Sequence, residues 1–477
     1  MKTRILLLLA ILLITSASFA TANNSASKPN FLFVIGDDCT FRDIGCYGGQ
    51  ANTPNIDKLA AAGMKFTQSF QAAPMCSPTR HNIYTGIYPV KSGAYPNHTF
   101  AKDGTKSIVH YLKPHGYRVA ISGKRHIAPK EVFPFESLGN GKNPDFAQID
   151  TFVKDAKEKS EPFCLFACSN EPHSPYTKGD PSKYPPAKIK LPPYFVDTPE
   201  TRSQMSKYLA EITYLDWQLG ELLEILDKHK LADNTLVIFT SEQGSGFPFA
   251  KWTCYDSGLQ NALIARWPGK IKPASVSDAM IEYVDITPTF IEAAGGTPAK
   301  IMDGKSYLPV LTGKANTHKD HVYGIMTTRG IINGSDHFGI RNVRSKNFKY
   351  ISNLTSDVPF RNVAMRSVEF KSWIEKAKTD PDAADKVRRY QHRPAQELYD
   401  IKKDPYEWNN LAHNPKYAEV KAELKQKLNE WMKAQGDKGQ QTELEANEHQ
   451  ARNRNKKKKK QTNKTPKGNR RNKNRNP

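Results

Sequence analysis

The sequence predicts an α/β protein, a large doubly wound mixed-sheet domain followed by a smaller α+β C-terminal domain. Three observations carry that expectation. Four short, largely apolar runs, at residues 31–35, 117–122, 163–167 and 235–240, are continuous rather than alternating, the pattern of strands buried on both faces. Each run ends in a polar cluster: Gly36-Asp37-Asp38, Gly123-Lys124-Arg125-His126, Asn170-Glu171-Pro172-His173 and Ser241-Glu242-Gln243-Gly244. Ligands of open α/β sheets bind at the carboxyl ends of strands, so the four clusters mark one expected site. After about residue 330 the pattern shifts to short polar strands, at 339–343 and 348–352, and then to a closing helix within 418–432.

Between the first and second runs, residues 55–63 read as a short helix with Gly63 near its end. Residues 202–230 form a long amphipathic helix, because Met205, Leu209, Ile212, Leu215, Leu219, Leu222 and Leu226 recur at helical spacing. No internal repeat is evident. The expected layout is a signal peptide at 1–20, a catalytic domain at 28–335, a small domain at 336–435, and a disordered basic tail at 436–477.

The ends are distinctive. Lys2 and Arg4 precede the apolar run 5–14, and Ser18-Phe19-Ala20 suits a signal cleavage site. The run is short for a membrane span, so the chain is expected to be exported, periplasmic or secreted (lysosomal in a eukaryote), and not transmembrane after cleavage. At the other end, residues 451–477 carry 13 basic and no acidic residues, so the net +22 of the chain leaves +9 on the other 450. Such a segment cannot bury a core. It is either a solvated tail or an arm for a polyanion, a sulfated glycan or an anionic envelope. Nucleic acid is disfavoured by export. The six cysteines, Cys39, Cys46, Cys76, Cys164, Cys168 and Cys254, are too sparse for a disulfide scaffold and lack zinc-site spacing.

The most informative stretch is Cys76-Ser77-Pro78-Thr79-Arg80. Proline is tolerated in a first helical turn, so Cys76 is expected at a helix N-terminus, where free N–H groups favour negative charge. Arg80, one turn on, brings a fork of donors to the same point. A buried cysteine beside a turn is the plain alternative. Asp37 and Asp38 are hard oxygen donors that suit calcium or magnesium; otherwise they cap a turn.

These five residues, with Thr85-Gly86 after them, match the sulfatase signature, and the chain resembles the sulfatases of the alkaline-phosphatase superfamily. The resemblance extends through GDD at 36–38, NTPNIDKLAAAG at 52–63, GKRHIAP at 123–129, EPHSPY at 171–176, DNTLVIFTSEQG at 233–244 and ELYDIKKDPYEWNNLA at 397–412. GKRHIAP, the LPPYFVDTPETR run and the ELYD segment are most similar to the heparan N-sulfatase (N-sulfoglucosamine sulfohydrolase) branch. The resemblance implies that a maturation enzyme converts Cys76 to formylglycine. It also implies one divalent cation, with calcium expected, held by Asp37, Asp38, residue 76, Glu242 and Gln243. Most relatives have Asp followed by Asn or His where Glu242 and Gln243 stand. The family positions around the sulfate are Arg80, Lys124, His126, His173 and Lys251. Arg80 and Lys124 would stabilise oxyanions, His173 would protonate the leaving group, and His126 would act on the second hydroxyl of the aldehyde hydrate. Lys251 would bind a sulfate oxygen. His81, His98, His115 and His337 lack such placement, though His98 is a candidate pocket residue.

The implied substrate is a sulfated saccharide, as a sulfate ester or an N-sulfate. Two other readings differ in class. A phosphomonoesterase or phosphodiesterase of the superfamily usually has Ser or Thr as nucleophile and several zinc-binding His and Asp, which Cys76 and the shortage of such His oppose. A non-catalytic glycan-binding protein would not need Cys76, Arg80, Lys124, His126 and His173 together.

Overall fold

A computed structural model describes residues 28–451. The signal-peptide expectation and the most basic stretch of the tail lie outside the described residues. The described residues form thirteen strands: β1 Asn30–Gly36, β2 Met64–Phe70, β3 Arg118–Gly123, β4 Glu136–Leu138, β5 Phe163–Cys168, β6 Thr235–Ser241, β7 Gln260–Arg266, β8 Ser275–Ser277, β9 Ile281–Glu282, β10 Val322–Thr327, β11 Gly339–Arg344, β12 Phe348–Asn353 and β13 Gln396–Asp400. The first nine make one mixed sheet in the order β4-β3-β5-β1-β6-β7-β2-β8, with β9 also on β2.

The four apolar runs are β3, β5, β1 and β6, and they are immediate neighbours in the centre of this sheet. The pairings among these four are all parallel, with Val34 of β1 opposite Ala167 and Phe239. Their four polar clusters therefore emerge side by side at one edge. β7 runs antiparallel to both β6 and β2. Along β1 the side chains alternate between two separate apolar layers, Leu32 and Val34 in one, Phe31, Phe33 and Ile35 in the other. Both faces are covered, which is why the run is continuous rather than alternating.

The helix Pro199–Lys228 covers the first face through Met205, Leu209, Ile212, Leu215, Leu219 and Leu222. It begins three residues before the expected 202, because Thr198 Oγ1 accepts from Thr201 N and Pro199 fits the first turn. The helix Ile286–Ala293 covers the second face through Ile286, Phe290 and Ile291.

The second sheet is antiparallel, in the order β10-β11-β12-β13, backed by the helix Ala418–Gln435 through Leu424, Leu428 and Trp431. Two boundary expectations change. β10 already belongs to this sheet, so the small domain starts near 322 rather than 336. Residues 436–451, expected within a disordered tail, are folded: the helix Gln440–Glu445 is held by Arg341, which pairs with Asp437 and Glu443, all three side chains fully buried. Sequence polarity misled here, because the charges that suggest solvent exposure neutralise one another inside.

Candidate active site

The strand ends are tied to one another by backbone. Asp37 N donates to Glu171 O at 2.9 Å, Glu242 N to Gly36 O at 2.7 Å, and Lys124 N to Cys168 O at 3.0 Å. Against this rim lies the helix Cys76–Thr85, every residue of which is buried. Cys76 is its first residue, after an extended Met75. The helix is locked by side chains: Thr79 Oγ1 donates to Ala73 O at 2.7 Å, and Ser77 Oγ to His126 O at 3.0 Å. His81, with both ring nitrogens on the carbonyls of Ser77 and Ala128, is structural.

Around Cys76 Sγ stand Lys251 Nζ at 3.4 Å and Gln243 Nε2 at 3.3 Å. Lys251 also binds Asp38 at 2.7 Å, and Lys124 bonds Asp37. Both aspartates are buried. Burial pushes the Cys76 thiol up to about 12, against the pull of Lys251. Burial lowers Lys124 to about 7, with Glu242 opposing. For Lys251 burial works against the charge, but Asp38 and Cys76 outweigh it and hold the ammonium above its usual range.

The histidines differ. His173 Nδ1 meets Ser174 O at 2.7 Å, so that nitrogen carries the hydrogen, and Nε2 lies 3.7 Å from Asp38. Asp38 raises its pKa, but burial with Lys251 and Lys124 prevails and brings it to about 4. His126 Nε2 meets His98 Nδ1 at 2.8 Å, and burial, then Lys124, holds His126 well below the usual range. His98 thus lines the pocket and partners His126. Asp38, His98, His126 and Trp252 have φ of 56°, 55°, 50° and 74°. Left-handed backbone of this kind costs of order 1–3 kcal/mol per residue and gathers at functional sites.

The set Asp37, Asp38, Gln243 and Cys76 converges, since Gln243 Nε2 reaches both aspartates and the sulfur. Glu242 does not join it. Its carboxylate forks onto Arg80, Oε1 to Nε at 3.0 Å and Oε2 to Nη2 at 2.9 Å, with both side chains fully buried. The longer glutamate arm reaches the guanidinium, so the expectation of Glu242 as a metal ligand beside the aspartates is replaced by an ion pair. Among the described residues, ligand atoms of Asp37, Cys76 and His173 lie within 4.8 Å of one another. Gln243 Oε1 is buried without a partner. With the Gln243 amide turned so that Oε1 rather than Nε2 faces Asp37 and Asp38, the three side chains offer a hard-oxygen donor set that fits a calcium-like cation.

The site opens into a cavity of about 710 Å³. Besides Cys76, Lys124, Arg125, His126, His173 and Lys251, its lining includes residues the sequence did not single out, among them Lys142, Trp252, Ile331, Ile332 and Val363. Those from 331 onward come from the loop after β10 and from beyond β12, which no local motif could announce.

Carboxylates at the floor and cations in the walls suit the oxyanion of an ester, and fold and pocket together define an anion-ester hydrolase. Residues 29–296 match the sulfatase family, and residues 244–364 match the C-terminal family of N-sulphoglucosamine sulphohydrolase. The chain belongs to the sulfatase family and is a sulfuric ester hydrolase. It is 36% identical over 435 residues to an ulvan-active sulfatase of Formosa agariphila, covering 89% of this chain and 84% of that protein. It is 26% identical over 458 residues to human N-sulphoglucosamine sulphohydrolase, covering 85% and 90%. A solved protein in complex with its substrate D-glucosamine-2-N,6-O-disulfate shares the fold with a TM-score of 0.67, at 20% identity over 86% of this chain and 99% of that one. Among the described residues no helix is long and apolar enough to cross a membrane.

Proposed function

We propose that the protein is an exported, formylglycine-dependent sulfatase that hydrolyses a sulfate ester on a sulfated carbohydrate and releases inorganic sulfate. The observation that carries this reading is Cys76 as the first residue of a wholly buried helix, inside Cys-Ser-Pro-Thr-Arg, with Lys251 at 3.4 Å from its sulfur. A buried thiol is a poor nucleophile, and the motif is the one that maturation enzymes of this family act on.

Formylglycine at residue 76 would supply an oxygen nucleophile for sulfur, and a divalent cation on Asp37, Asp38 and Gln243 would neutralise sulfate oxygens. The chain's own residues do the rest. The helix N-terminus and the ammonium groups of Lys124 and Lys251 hold the sulfate oxygens. Arg80, fixed by Glu242, donates Nη1 to Lys124 O at 2.6 Å and so sets the strand end that presents Lys124. His173, in the imidazolium form that Asp38 favours, delivers the Nε2 proton to the departing sugar oxygen. His126 takes the proton at residue 76 that releases sulfate, with His98 orienting its ring.

A purified, matured sample screened against defined sulfated saccharides and scored by free sulfate tests the reading, with peptide mass spectrometry on residue 76. No sulfate from any saccharide or from an aryl sulfate would leave the glycan-binding alternative; phosphate release in its place would favour the phosphoesterase one. The C-terminal match over 244–364 favours a second reading of the bond cleaved, an N-sulfate. Comparing N-sulfoglucosamine with O-sulfated sugars separates the two. The basic residues 452–477 are the proposed arm for a polyanionic glycan or envelope.

A further inference from the structure

The pocket holds more positive charge than one sulfate requires. Its lining contains Lys124, Arg125, Lys142 and Lys251 and neither aspartate nor glutamate. Lys124 and Lys251 are already engaged by Asp37 and Asp38 at the floor. Arg125 and Lys142 have no acidic partner among the described residues. Arg125 is nevertheless fixed: Nη2 donates to Gly139 O at 2.6 Å and to Ser137 Oγ. Those bonds leave the Nε and Nη1 hydrogens of its fork for another acceptor. Lys142 sits in the same loop, exposed, between β4 and the helix Phe146–Glu158.

Another part of the lining is apolar. Ile332 is 63% exposed and Val363 37% exposed, both beside Ile331. Exposed aliphatic groups at a pocket mouth suit the apolar face of a sugar ring, and 710 Å³ is far larger than a sulfate needs. The mouth therefore combines a ring-sized apolar surface with a pair of unpaired cations displaced from the sulfate floor.

We propose that the pocket selects a sugar bearing a second anionic group near the scissile sulfate, and that Arg125 and Lys142 bind that second group. This rests on the sulfatase reading of the pocket floor. The second group is a sulfate or a carboxylate, both of which accept a guanidinium fork and an ammonium.

The test compares kcat/KM for three probes: a monosulfated amino sugar, the same sugar with a second sulfate, and the monosulfated sugar joined to a hexuronic acid. The wild type is expected to prefer at least one doubly anionic probe by tenfold or more, and the probe preferred tells sulfate from carboxylate. Lys142→Ala and Arg125→Gln should each reduce that preference about three- to tenfold, the net contribution of one ordinary hydrogen bond at a solvent-open site. Lys142→Glu should reverse it. Because Arg125 also braces Gly139, the Lys142 variants decide the matter if Arg125→Gln misfolds. Sulfate release from all three probes without preference, or a preference untouched by both Lys142 variants, overturns this proposal alone. No release from any probe or from an aryl sulfate overturns the catalytic reading and this one with it.

Discussion

Glu242 concentrates the chemistry of this site in one side chain. Its two oxygens neutralise Arg80, which is fully buried, and burial opposes that guanidinium charge unless Glu242 is present. Removing one partner of a buried pair costs roughly 3–5 kcal/mol. Glu242→Ala should therefore lower the melting temperature by several degrees and cut turnover, and wild-type melting with full activity would disprove the pairing. Glu242→Asp shortens the arm by one methylene and should fall between the two, although it restores the residue common in relatives. The neighbouring histidines are distinguishable by leaving group. His173→Ala should slow substrates with poor leaving groups far more than an activated aryl sulfate, because only the former need the proton. Equal losses on both would exclude the role. The donor set at Asp37, Asp38 and Gln243 predicts that chelated enzyme regains activity with calcium better than with magnesium, since side-chain arms of unequal length suit a flexible shell better than a strict octahedron. Calorimetric titration of the chelated protein with each ion measures the difference directly.

At the scale of elements, the strands of the central sheet were legible because burial on both faces writes itself as an uninterrupted apolar run, as in β1 and β5. Their order was not legible, since parallel neighbours are far apart in sequence. What could be read was that each ended in polar residues, and the adjacency of β3, β5, β1 and β6 explains why those residues share one pocket. The pocket mouth was not legible, because Ile331, Ile332 and Val363 arrive from another sheet's loops. Helix caps show the same division. Thr198 caps its own helix, whereas the helix Pro54–Ala61 has no side-chain cap at Thr53. Asp216, from the helix Pro199–Lys228, supplies it from across the packing, Oδ1 accepting from Ile56 N at 2.8 Å and Oδ2 from Asn55 N at 3.2 Å. Asp216→Ala should cost about 1–2 kcal/mol, the size of a lost cap. Burial raises the Asp216 carboxyl to about 6, against those hydrogen bonds. A carboxyl raised on folding contributes stability that is fully present below its unfolded value of about 4 and lost as pH rises through about 6. The melting difference between wild type and variant should thus be larger at pH 4 than at pH 7, and a pH-independent difference would contradict this.

At the scale of the whole molecule, the two sheets are not independent units. Arg344 and Lys349 of the second sheet converge on Asp256 beside β7, Lys349 also reaching Glu407 at 2.9 Å, all buried. The chain then returns to the large domain, to the segment between the helices Pro89–Ser92 and Ile108–Leu112: Tyr95 Oη donates to Thr442 O at 2.9 Å, Thr99 Oγ1 to His449 O at 2.8 Å, and Ala451 N to His98 O at 2.9 Å. The last of these holds the backbone of the residue whose ring partners His126. The described C-terminal segment is therefore a strap whose last residue, Ala451, sits at the pocket wall, and the 13 basic residues follow it in the sequence. Two truncations separate strap from arm. Deleting 452–477 should weaken salt-sensitive retention on an anionic glycan resin, because salt screens those charges, and should leave the melting temperature in place. Deleting 436–477 also removes Asp437 and Glu443 from Arg341, stranding a fully buried guanidinium at a cost of roughly 3–5 kcal/mol. It frees His98 as well, so both the melting temperature and kcat on a small aryl sulfate should fall. The measurements are thermal melts, resin elution against salt, and aryl sulfate kinetics on both forms. If the two truncations melt alike and turn over alike, residues 436–451 hold nothing at the site and the strap is only packing.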